Sequence, residues 1–336
     1  MPRRHPARNA RGRTALVAVL LVGVLCGCEG SRSQTPPPGR GPDLAGCPML
    51  PADNVWNARV DTLPVLTESR AYVASIGASS SVRADFGSGL WEGAPIGIPY
   101  TTVEAGQPAV SVSFYYPDES DRGPYPIPRD APVEGAPPGG VAPGGDRHVL
   151  VVDLSGCTLY ELYDAELQRD GSWEAGSGAI YDLASNDLRP DGWTSADAAG
   201  LPILPGLVRY EEVEAGEIAH AIRFTAPRTR NDYVWPARHQ ASSRSDPELP
   251  PMGQRFRLRA DFDASGMAPE VQVIVTAMKR YGLVLADNGS SWFLSGAPDE
   301  RWDNDMLRQL MQINGSDLEA VSVLGLMTDP DSGRVR

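Results

Sequence analysis

Arginine is concentrated in one stretch of an otherwise acidic chain. Between His220 and Ala260 there are eight arginines against three acids, whereas the formal net charge of the whole chain is −13. A guanidinium group binds a carboxylate or a phosphate through two parallel hydrogen bonds, so this stretch could hold an anionic ligand such as a uronic acid polymer. The alternative, which we favour because exposed strand faces are commonly charged, is that these arginines pair with the protein's own carboxylates. The predicted substrate-binding arginines are Arg223, Arg238, Arg255 and Arg257.

Two histidines, His220 and His239, lie in the same stretch. Imidazole titrates near neutral pH and can move a proton in acid–base catalysis. His239 falls in a predicted loop, while His220 shares a predicted strand face with Ile222 and Phe224, where a buried core histidine would also lie. Together with His148 they could form a three-histidine zinc site, although their spacing gives that interpretation little support.

Carboxylates are the alternative catalytic groups. Glycoside hydrolysis needs two of them, one held protonated by an apolar environment and one ionised. The acids near predicted strand ends and turns are Glu161, Asp182, Asp197, Glu212, Glu217 and Asp287. From these we select Asp182, Asp197 and Glu217 as the candidate pair members. Asp197 also closes the pattern Thr194-x-x-Asp197, which is a capping box for a short helical turn.

Aromatic residues surround the arginine-rich stretch. Trp193 and Trp235 are flanked by Gly192 and Pro236, which places them in turns. Flat rings stack well on the apolar face of a pyranose, so both tryptophans are predicted to bind a glycan substrate. A structural role in the core is the alternative.

The motif Asp261-x-Asp263-x-Ser265-Gly266 resembles the first half of an EF-hand calcium loop. The twelfth position is Gln272, where that family has a bidentate glutamate. The resemblance therefore implies at most a looser calcium turn at Asp261, Asp263 and Ser265, with an ordinary acidic turn as the alternative.

Several catalytic signatures are absent from the sequence. There is no Gly-x-Ser-x-Gly, His-Glu-x-x-His, Cys-x-x-Cys, Walker loop or Gly-x-Gly-x-x-Gly. Their absence argues against an α/β-hydrolase, a zincin, a thioredoxin-like redox protein and a nucleotide enzyme.

Short apolar and β-branched runs recur along the chain, each bounded by Gly, Pro, Asp or Asn, and predict strands. The predicted strands are Ser111–Tyr116, His148–Leu154, Thr158–Tyr163, Ala179–Leu183, Gly206–Glu212, Ala219–Thr225, Gln254–Ala260, Leu283–Ala286 and Trp292–Ser295. Asp287-Asn288-Gly289 predicts a hairpin turn between the last two. The fold class is therefore β-rich (α+β), a β-sandwich or jelly-roll-like domain with two helices near the C-terminus. These helices are predicted at Pro269–Tyr281 and from about Asn304 to Ile313.

One long segment departs from this pattern. Residues 117–145 contain eight prolines and six glycines. A loop of this length inside a compact domain is either a functional element, such as a lid or the wall of a cleft, or a surface excursion.

The N-terminus indicates export. Five arginines within residues 3–13 precede the apolar run Ala15–Leu25, which is too short to span a bilayer and predicts a secretory signal. The following Leu25-Cys26-Gly27-Cys28 resembles the lipobox of bacterial lipoproteins. The resemblance implies a signal peptide over residues 1–27 and a lipid on Cys28, hence an extracytoplasmic, membrane-anchored protein. Residues 28–46 are predicted to be a Pro/Gly/Ser-rich tether and residues 47–336 a single β-rich domain.

The net charge argues against two classes of binding partner, and the cysteine content predicts a disulfide. Removing five arginines and no acids from a net charge of −13 leaves −18 over residues 28–336, which disfavours nucleic acid and anionic membrane surfaces. The lipid on Cys28 would then be the only contact with the bilayer. In an oxidising compartment the two remaining cysteines, Cys47 and Cys157, are predicted to form a disulfide.

These observations predict an exported enzyme that acts on a polysaccharide. As a lyase on a uronic substrate, it would use His220 or His239 with Tyr233 to move the proton while arginines neutralise the substrate carboxylate. As a glycoside hydrolase on a neutral substrate, it would use a carboxylate pair. The alternative is a non-catalytic lipoprotein that binds a glycan or a protein; a metal carrier is a third interpretation.

Overall fold

The structure is a computed structural model that describes residues 41–336. Its strands are β1 (Asp43–Leu44), β2 (Cys47–Pro48), β3 (Arg83–Asp85), β4 (Leu90–Trp91), β5 (Ala94–Pro95), β6 (Tyr100–Val103), β7 (Val112–Phe114), β8 (Val149–Asp153), β9 (Thr158–Tyr163), β10 (Glu166–Leu167), β11 (Trp173–Ala175), β12 (Ser177–Asp182), β13 (Ile222–Ala226), β14 (Arg255–Leu258), β15 (Leu283–Asn288), β16 (Phe293–Ser295) and β17 (Leu318–Val321). Its α-helices are α1 (Ser69–Ile76), α2 (Tyr210–Ala215), α3 (Pro269–Arg280) and α4 (Asn304–Leu307). Its 3-10 helices are Pro117–Glu119, Leu204–Gly206, Arg308–Gln312, Gly315–Asp317 and Leu324–Leu326.

Strand residues outnumber helical ones, 26% against 16%, which confirms the predicted β-rich α+β class. Among the described residues the strands form a six-stranded, a four-stranded and a three-stranded sheet and two small hairpins. A β-sandwich or jelly roll is not confirmed by this arrangement.

The six-stranded sheet has the order β17-β14-β15-β13-β16-β3 and is mixed. Its central strands β15 and β13 run parallel, and β14 and β16 flank them in antiparallel pairings. Helix α3 lies between β14 and β15 in the chain and buries Val271, Ile274, Val275 and Met278, which recur at the spacing of one helix face. Proline at its start and Gly282 just beyond its end explain why this helix was predictable.

The four-stranded sheet, with the order β12-β9-β8-β6, separates two hydrophobic cores. Side chains alternate along a strand, so Leu150 and Val152 enter the main core while Val149 and Val151 enter a smaller one. The segment 117–145 covers this second core with Tyr125 and Ile127, each only 1% exposed. The long proline-rich loop is thus a packed element.

Two local predictions were wrong. β15 and β16 do not form a hairpin around Asp287-Asn288-Gly289, because β13 lies between them and pairs with both. The predicted strand Gly206–Glu212 is instead the end of a 3-10 helix followed by α2, which ends at Gly216 in the left-handed region. The helix predicted from about Asn304 to Ile313 is confirmed, as an α-helix to Leu307 and a 3-10 helix over Arg308–Gln312.

The disulfide between Cys47 and Cys157 is present and links the first hairpin to the turn between β8 and β9. Its cysteines are 110 residues apart in sequence, so it restricts a large loop of the unfolded chain. Replacing both cysteines by serine is expected to lower the free energy of unfolding by about 2–4 kcal/mol. Urea denaturation of the double variant checks this, and a wild-type chain that keeps its stability under reducing conditions would contradict it.

No helix in residues 41–336 has the length and apolar character needed to cross a bilayer. The predicted signal peptide, the lipidation site Cys28 and most of the predicted tether lie outside the described residues. The last residues of that tether are structured, since Asp43–Leu44 pairs with Cys47–Pro48.

Candidate functional site

A cleft of about 400 Å³, here called the central cleft, opens beside the segment 194–198. Its other walls come from the start of the long loop, from Asp146 three residues before β8, from the ends of β9 and β15, and from residues 239 and 241. The side chains that face it and carry chemistry are Tyr116, Glu119, Asp146, Tyr163, His239 and Asp287. The cleft therefore collects carboxylates and aromatic rings, together with one imidazole.

Arg223, the second residue of β13, organises the floor of the central cleft. Its side chain is 4% exposed. Its Nε and Nη2 donate to the two carboxylate oxygens of Asp197 at 2.9 and 2.8 Å, and its Nη1 donates to Ser295 Oγ at 2.7 Å. Burial opposes the charge, but the carboxylates of Asp197 and Asp287 outweigh it and raise the pKa of Arg223. The guanidinium is thus a fixed, fully paired cation.

Asp287, in β15, is the second carboxylate on this guanidinium. Arg223 Nη2 reaches its Oδ2 at 3.2 Å, a longer contact than either one to Asp197. The Asp287 side chain is 20% exposed and lines the cleft, whereas that of Asp197 is fully buried. Burial, assisted by the negative charges of Asp197 and Asp146, raises the pKa of Asp287 to about 7 in spite of Arg223. Asp287 is a carboxyl group that can carry a proton near neutral pH and present it to the cleft.

His148 supports the cleft from behind. Its Nδ1 lies 2.5 Å from Glu134 Oε2 and its Nε2 lies 3.0 Å from the carbonyl oxygen of Ala196. Burial opposes the charge on the imidazole, but Glu134 more than offsets it and raises the pKa of His148 to about 9. The histidine thereby connects the long loop to the segment that carries Asp197.

The segment 194–198 is held by hydrogen bonds along its length. Ser195 Oγ donates to Leu201 O at 2.7 Å, and Ser177 Oγ donates to Ser195 O at 2.7 Å. From the long loop, Glu119 Oε2 accepts the backbone N–H of Thr194 at 3.1 Å. No helical turn forms here, so Thr194-x-x-Asp197 is not a capping box; the Asp197 carboxylate binds Arg223 instead. The long loop contributes one wall of the cleft.

His239 is the predicted catalytic residue that faces the central cleft most directly. Its Nδ1 lies 2.9 Å from the carbonyl oxygen of Ala198 and must donate to it. In a neutral imidazole this leaves Nε2 as an acceptor. His239 is half-buried and lines the cleft, so this nitrogen is placed to accept a proton or a hydroxyl hydrogen bond.

Of the residues predicted from the sequence, the structure brings Asp197, Arg223 and His239 together at the central cleft. His220 lies elsewhere, 1% exposed, with its Nε2 3.1 Å from Glu212 Oε2. Arg209 donates to the other oxygen of Glu212 at 2.6 Å. Burial opposes ionisation of Glu212, but His220 and Arg209 lower its pKa to about 2. His220 is therefore a core histidine, the alternative that its position between apolar residues had indicated.

The other arginines that were predicted to bind substrate instead bind carboxylates and carbonyl oxygens of the protein. Arg255 is 1% exposed and donates to the carbonyl oxygens of Tyr281 and Val55, at 2.7 and 2.8 Å. Burial lowers the pKa of Arg255 to about 9. Arg257 binds Glu319 and the carbonyl oxygens of residues 60 and 63. Arg238 binds Asp331 and the carbonyl oxygen of residue 330. The alternation in β14 did place Phe256 and Leu258 in the core, but residues 55–63 receive its arginine face.

The other predicted residues are distributed over the surface and the core. Tyr233 donates its hydroxyl to Asp191 at 2.9 Å, and the indole of Trp235, 7% exposed, donates to Ser332 O at 3.0 Å. Arg189 lies 5.6 Å over the half-buried ring of Trp193. Asp182 accepts the backbone N–H of residue 184 in an exposed turn, and Glu217 lies 3.7 Å from the guanidinium of Arg280.

The side chains of residues 41–336 are not arranged as a metal site. No group of three or more His, Cys, Asp or Glu side chains there is arranged to hold a metal ion. In the predicted calcium turn, Asp261 binds Arg259 and Asp263 accepts the backbone N–H of Ser265. Both contacts belong to an ordinary acidic turn.

Sequence reasoning missed several residues of the cleft. Asp287 was one of six acids near strand ends and was not selected. Asp146, three residues before β8, was not selected, and His148 was considered only as a metal ligand. Glu134, which binds His148, lies within the long loop. The position of Asp146 shortly before an apolar strand was a detectable signal, since strand ends commonly carry functional groups, whereas nothing local marked Glu134.

Because the raised pKa of His148 stabilises the folded state only while its proton is bound, stability should depend on alkaline pH. The contribution is fully present below the ordinary histidine pKa of 6.5 and is lost as pH rises towards about 9. We expect the free energy of unfolding of the wild type to fall over this window, and His148→Gln to lose that part of the fall. Urea denaturation at pH 6 and pH 9 measures it. His239→Gln is the matched control, and an equal pH slope in both variants would contradict the assignment.

Comparison of the chain with protein-family models, curated proteins and solved structures finds no match.

Proposed function

We propose that this chain is a glycoside hydrolase in which Asp287 donates the proton to the leaving oxygen. The observation that carries the proposal is the position of Asp287. It is a partly exposed carboxyl at the floor of a cleft, and it shares a buried guanidinium that Asp197 already binds through both oxygens. A carboxyl in that position keeps a proton near neutral pH, as general acid catalysis requires.

Glycoside hydrolysis also needs an ionised group on the other side of the bond. Asp146 is exposed in the central cleft, and its carboxylate has no hydrogen-bond partner within residues 41–336. It is close enough to Asp287 for its charge to raise the pKa of that residue. We assign Asp146 the role of the second carboxylate, which acts on the other side of the glycosidic bond. His239 Nε2 is assigned a hydrogen bond to the substrate or to water.

Arg223 and Asp197 act as positioning residues in this scheme. Asp197 is fully buried and both of its oxygens are engaged, so it does not exchange protons with the cleft. Its negative charge keeps Asp287 from becoming the sole partner of Arg223. The arrangement therefore favours the protonated form of Asp287 without removing it from the cleft.

The lyase alternative receives less support from the contacts. It needs free guanidinium groups to neutralise a substrate carboxylate. Arg223, Arg238, Arg255 and Arg257 are instead committed to internal carboxylates and carbonyl oxygens. Acids outnumber bases on the walls of the central cleft, which disfavours a uronate there.

The test is incubation of the purified full chain with a glycan panel. New reducing ends and the absorbance of unsaturated uronates are read separately. Reducing ends without unsaturation are expected. Unsaturated products would show that the enzyme is a lyase and would contradict the hydrolase proposal. Binding without any bond cleavage would favour the second candidate, a glycan-binding lipoprotein, for which the exposed rings of Tyr115 and Tyr116 are the favouring observation.

We further propose that the protein is exported and anchored through a lipid on Cys28. The disulfide between Cys47 and Cys157 supports an oxidising compartment. Mass spectrometry of the membrane fraction should find a lipidated N-terminal peptide that begins at Cys28, and Cys28→Ser should release the protein. An unmodified Cys28 in that fraction would refute the anchor.

A further inference from the structure

We propose that the central cleft is one part of a longer groove, and that the substrate is a glycan chain several sugars long without acidic groups. This inference rests on the proposed function and adds its substrate class. A second depression of about 290 Å³, here called the tyrosine depression, adjoins the central cleft. Tyr116 and Tyr163 line both, so the two depressions are neighbours that one extended chain can contact together.

The rings of the tyrosine depression are presented on a fixed backbone. Tyr115 is 80% exposed and Tyr116 is 51% exposed, and their centroids lie 5.1 Å apart in an edge-to-face pair. Their backbone N–H groups donate to the carbonyl oxygens of Ala175 and Gly176, at 2.9 and 2.8 Å. These bonds fix the backbone that carries the two rings, and exposed aromatic rings at a fixed position make a stacking platform for sugars.

Tyr163 forms the ridge between the two depressions. Its ring lies against the backbone of Gly176, where an added Cβ would come within 2.6 Å of the ring carbon Cδ1. Only glycine allows this close approach, so the ridge depends on that residue. A glycan chain crossing the ridge would contact Tyr116 and Tyr163 on its way from the central cleft.

The charge of the tyrosine depression selects against acidic sugars. Glu166 and Glu174 are both exposed and lie directly opposite each other in the β10–β11 pair. Like charges in that position are destabilising, and neither carboxylate has an ion-pair partner within residues 41–336. The one cation there, Arg147, already binds Asp164. Hydroxyl groups of an uncharged sugar can donate to these carboxylates, whereas a uronate would be repelled.

The test measures binding in the Asp287→Asn variant of the full chain, so that cleavage does not obscure it. The probes are neutral gluco- and manno-oligosaccharides from two to six units and oligogalacturonates of the same lengths. Calorimetry should show affinity rising with length for a neutral series and no such rise for the acidic one. Tyr115→Ala should weaken binding of the longest neutral oligomer by about three- to tenfold and leave the dimer unchanged.

Trp91→Ala is the matched control, because Trp91 is a ring 71% exposed that lines neither depression, and it should change nothing. If binding depends on oligomer length and on Tyr115 but the wild type cleaves no glycan, the proposed groove is supported and the proposed hydrolase function is refuted. If the wild type cleaves glycans but binding depends neither on oligomer length nor on Tyr115, the proposed groove is refuted and the proposed hydrolase function is supported. Tighter binding of the oligogalacturonates, or binding of no probe, would overturn the inference.

Discussion

Replacing Asp287 by asparagine is expected to lower kcat for glycan hydrolysis by about 10²–10⁴-fold, the usual contribution of a general acid. Asparagine has the same size and can still accept the contact from Arg223, so the floor of the cleft should remain intact while the proton is lost. In the wild type, kcat should fall as pH rises through about 7, where Asp287 gives up its proton. The variant should lack this fall.

Asp182→Asn is the matched control for that experiment. Asp182 is an exposed carboxylate at the last position of β12, and its change should leave kcat within about twofold of the wild type. Reducing-end assays across pH 5–9 measure both variants, and circular dichroism checks that they are folded. An Asp287→Asn protein with full activity would remove Asp287 from the mechanism.

Replacing Arg223 by methionine is expected to lower the free energy of unfolding by about 3–5 kcal/mol, because it leaves a buried charge without its partner. Asp197 is fully buried, and Arg223 engages both of its oxygens. Once the guanidinium is gone, Asp197 must either remain an unpaired charge in the interior or take up a proton. Either outcome costs folding free energy. Urea denaturation measures the difference.

The double variant Arg223→Met with Asp197→Leu provides the internal check. Removing both partners of a buried pair costs much less than removing one, so the double variant should recover a large part of the lost stability. Arg259→Met is the matched surface control, since that ion pair with Asp261 is about half or more exposed on both sides. It should change stability by less than about 1 kcal/mol. Equal losses from Arg223→Met and Arg259→Met would contradict the assigned role of Arg223.

If both predictions hold, one guanidinium serves stability and catalysis together. The Asp197 side of Arg223 stabilises the fold, and the Asp287 side presents a carboxyl to the cleft. Loss of Arg223 would then also change the pH dependence of any remaining activity, because the pKa of Asp287 depends on that charge.

Much of the secondary structure could be predicted from the sequence because its signals are local. β8 and β9 are apolar runs that end in turn residues, and α3 has a proline at its start and Gly282 just beyond its end. The β-rich class follows from the recurrence of such runs. The pairing of cysteines 47 and 157 was predictable because the predicted signal peptide contains Cys26 and the predicted lipid occupies Cys28, which leaves one pair.

Features that depend on residues distant in the chain could not be predicted, because they are set only when the chain folds. The alternation of residue types predicted that β14 has an arginine face, but not that residues 55–63 cover it and bury Arg255. The sequence contains 43 acids, and nothing local distinguishes Asp287 from Asp182. Only the parallel pairing of β13 with β15 brings Asp287 to Arg223, 64 residues away, and to Asp197 beyond it. Hydrophobic periodicity reports the neighbours of a residue along its own strand or helix, whereas pKa shifts and ion pairs are set by the residues that folding places around it.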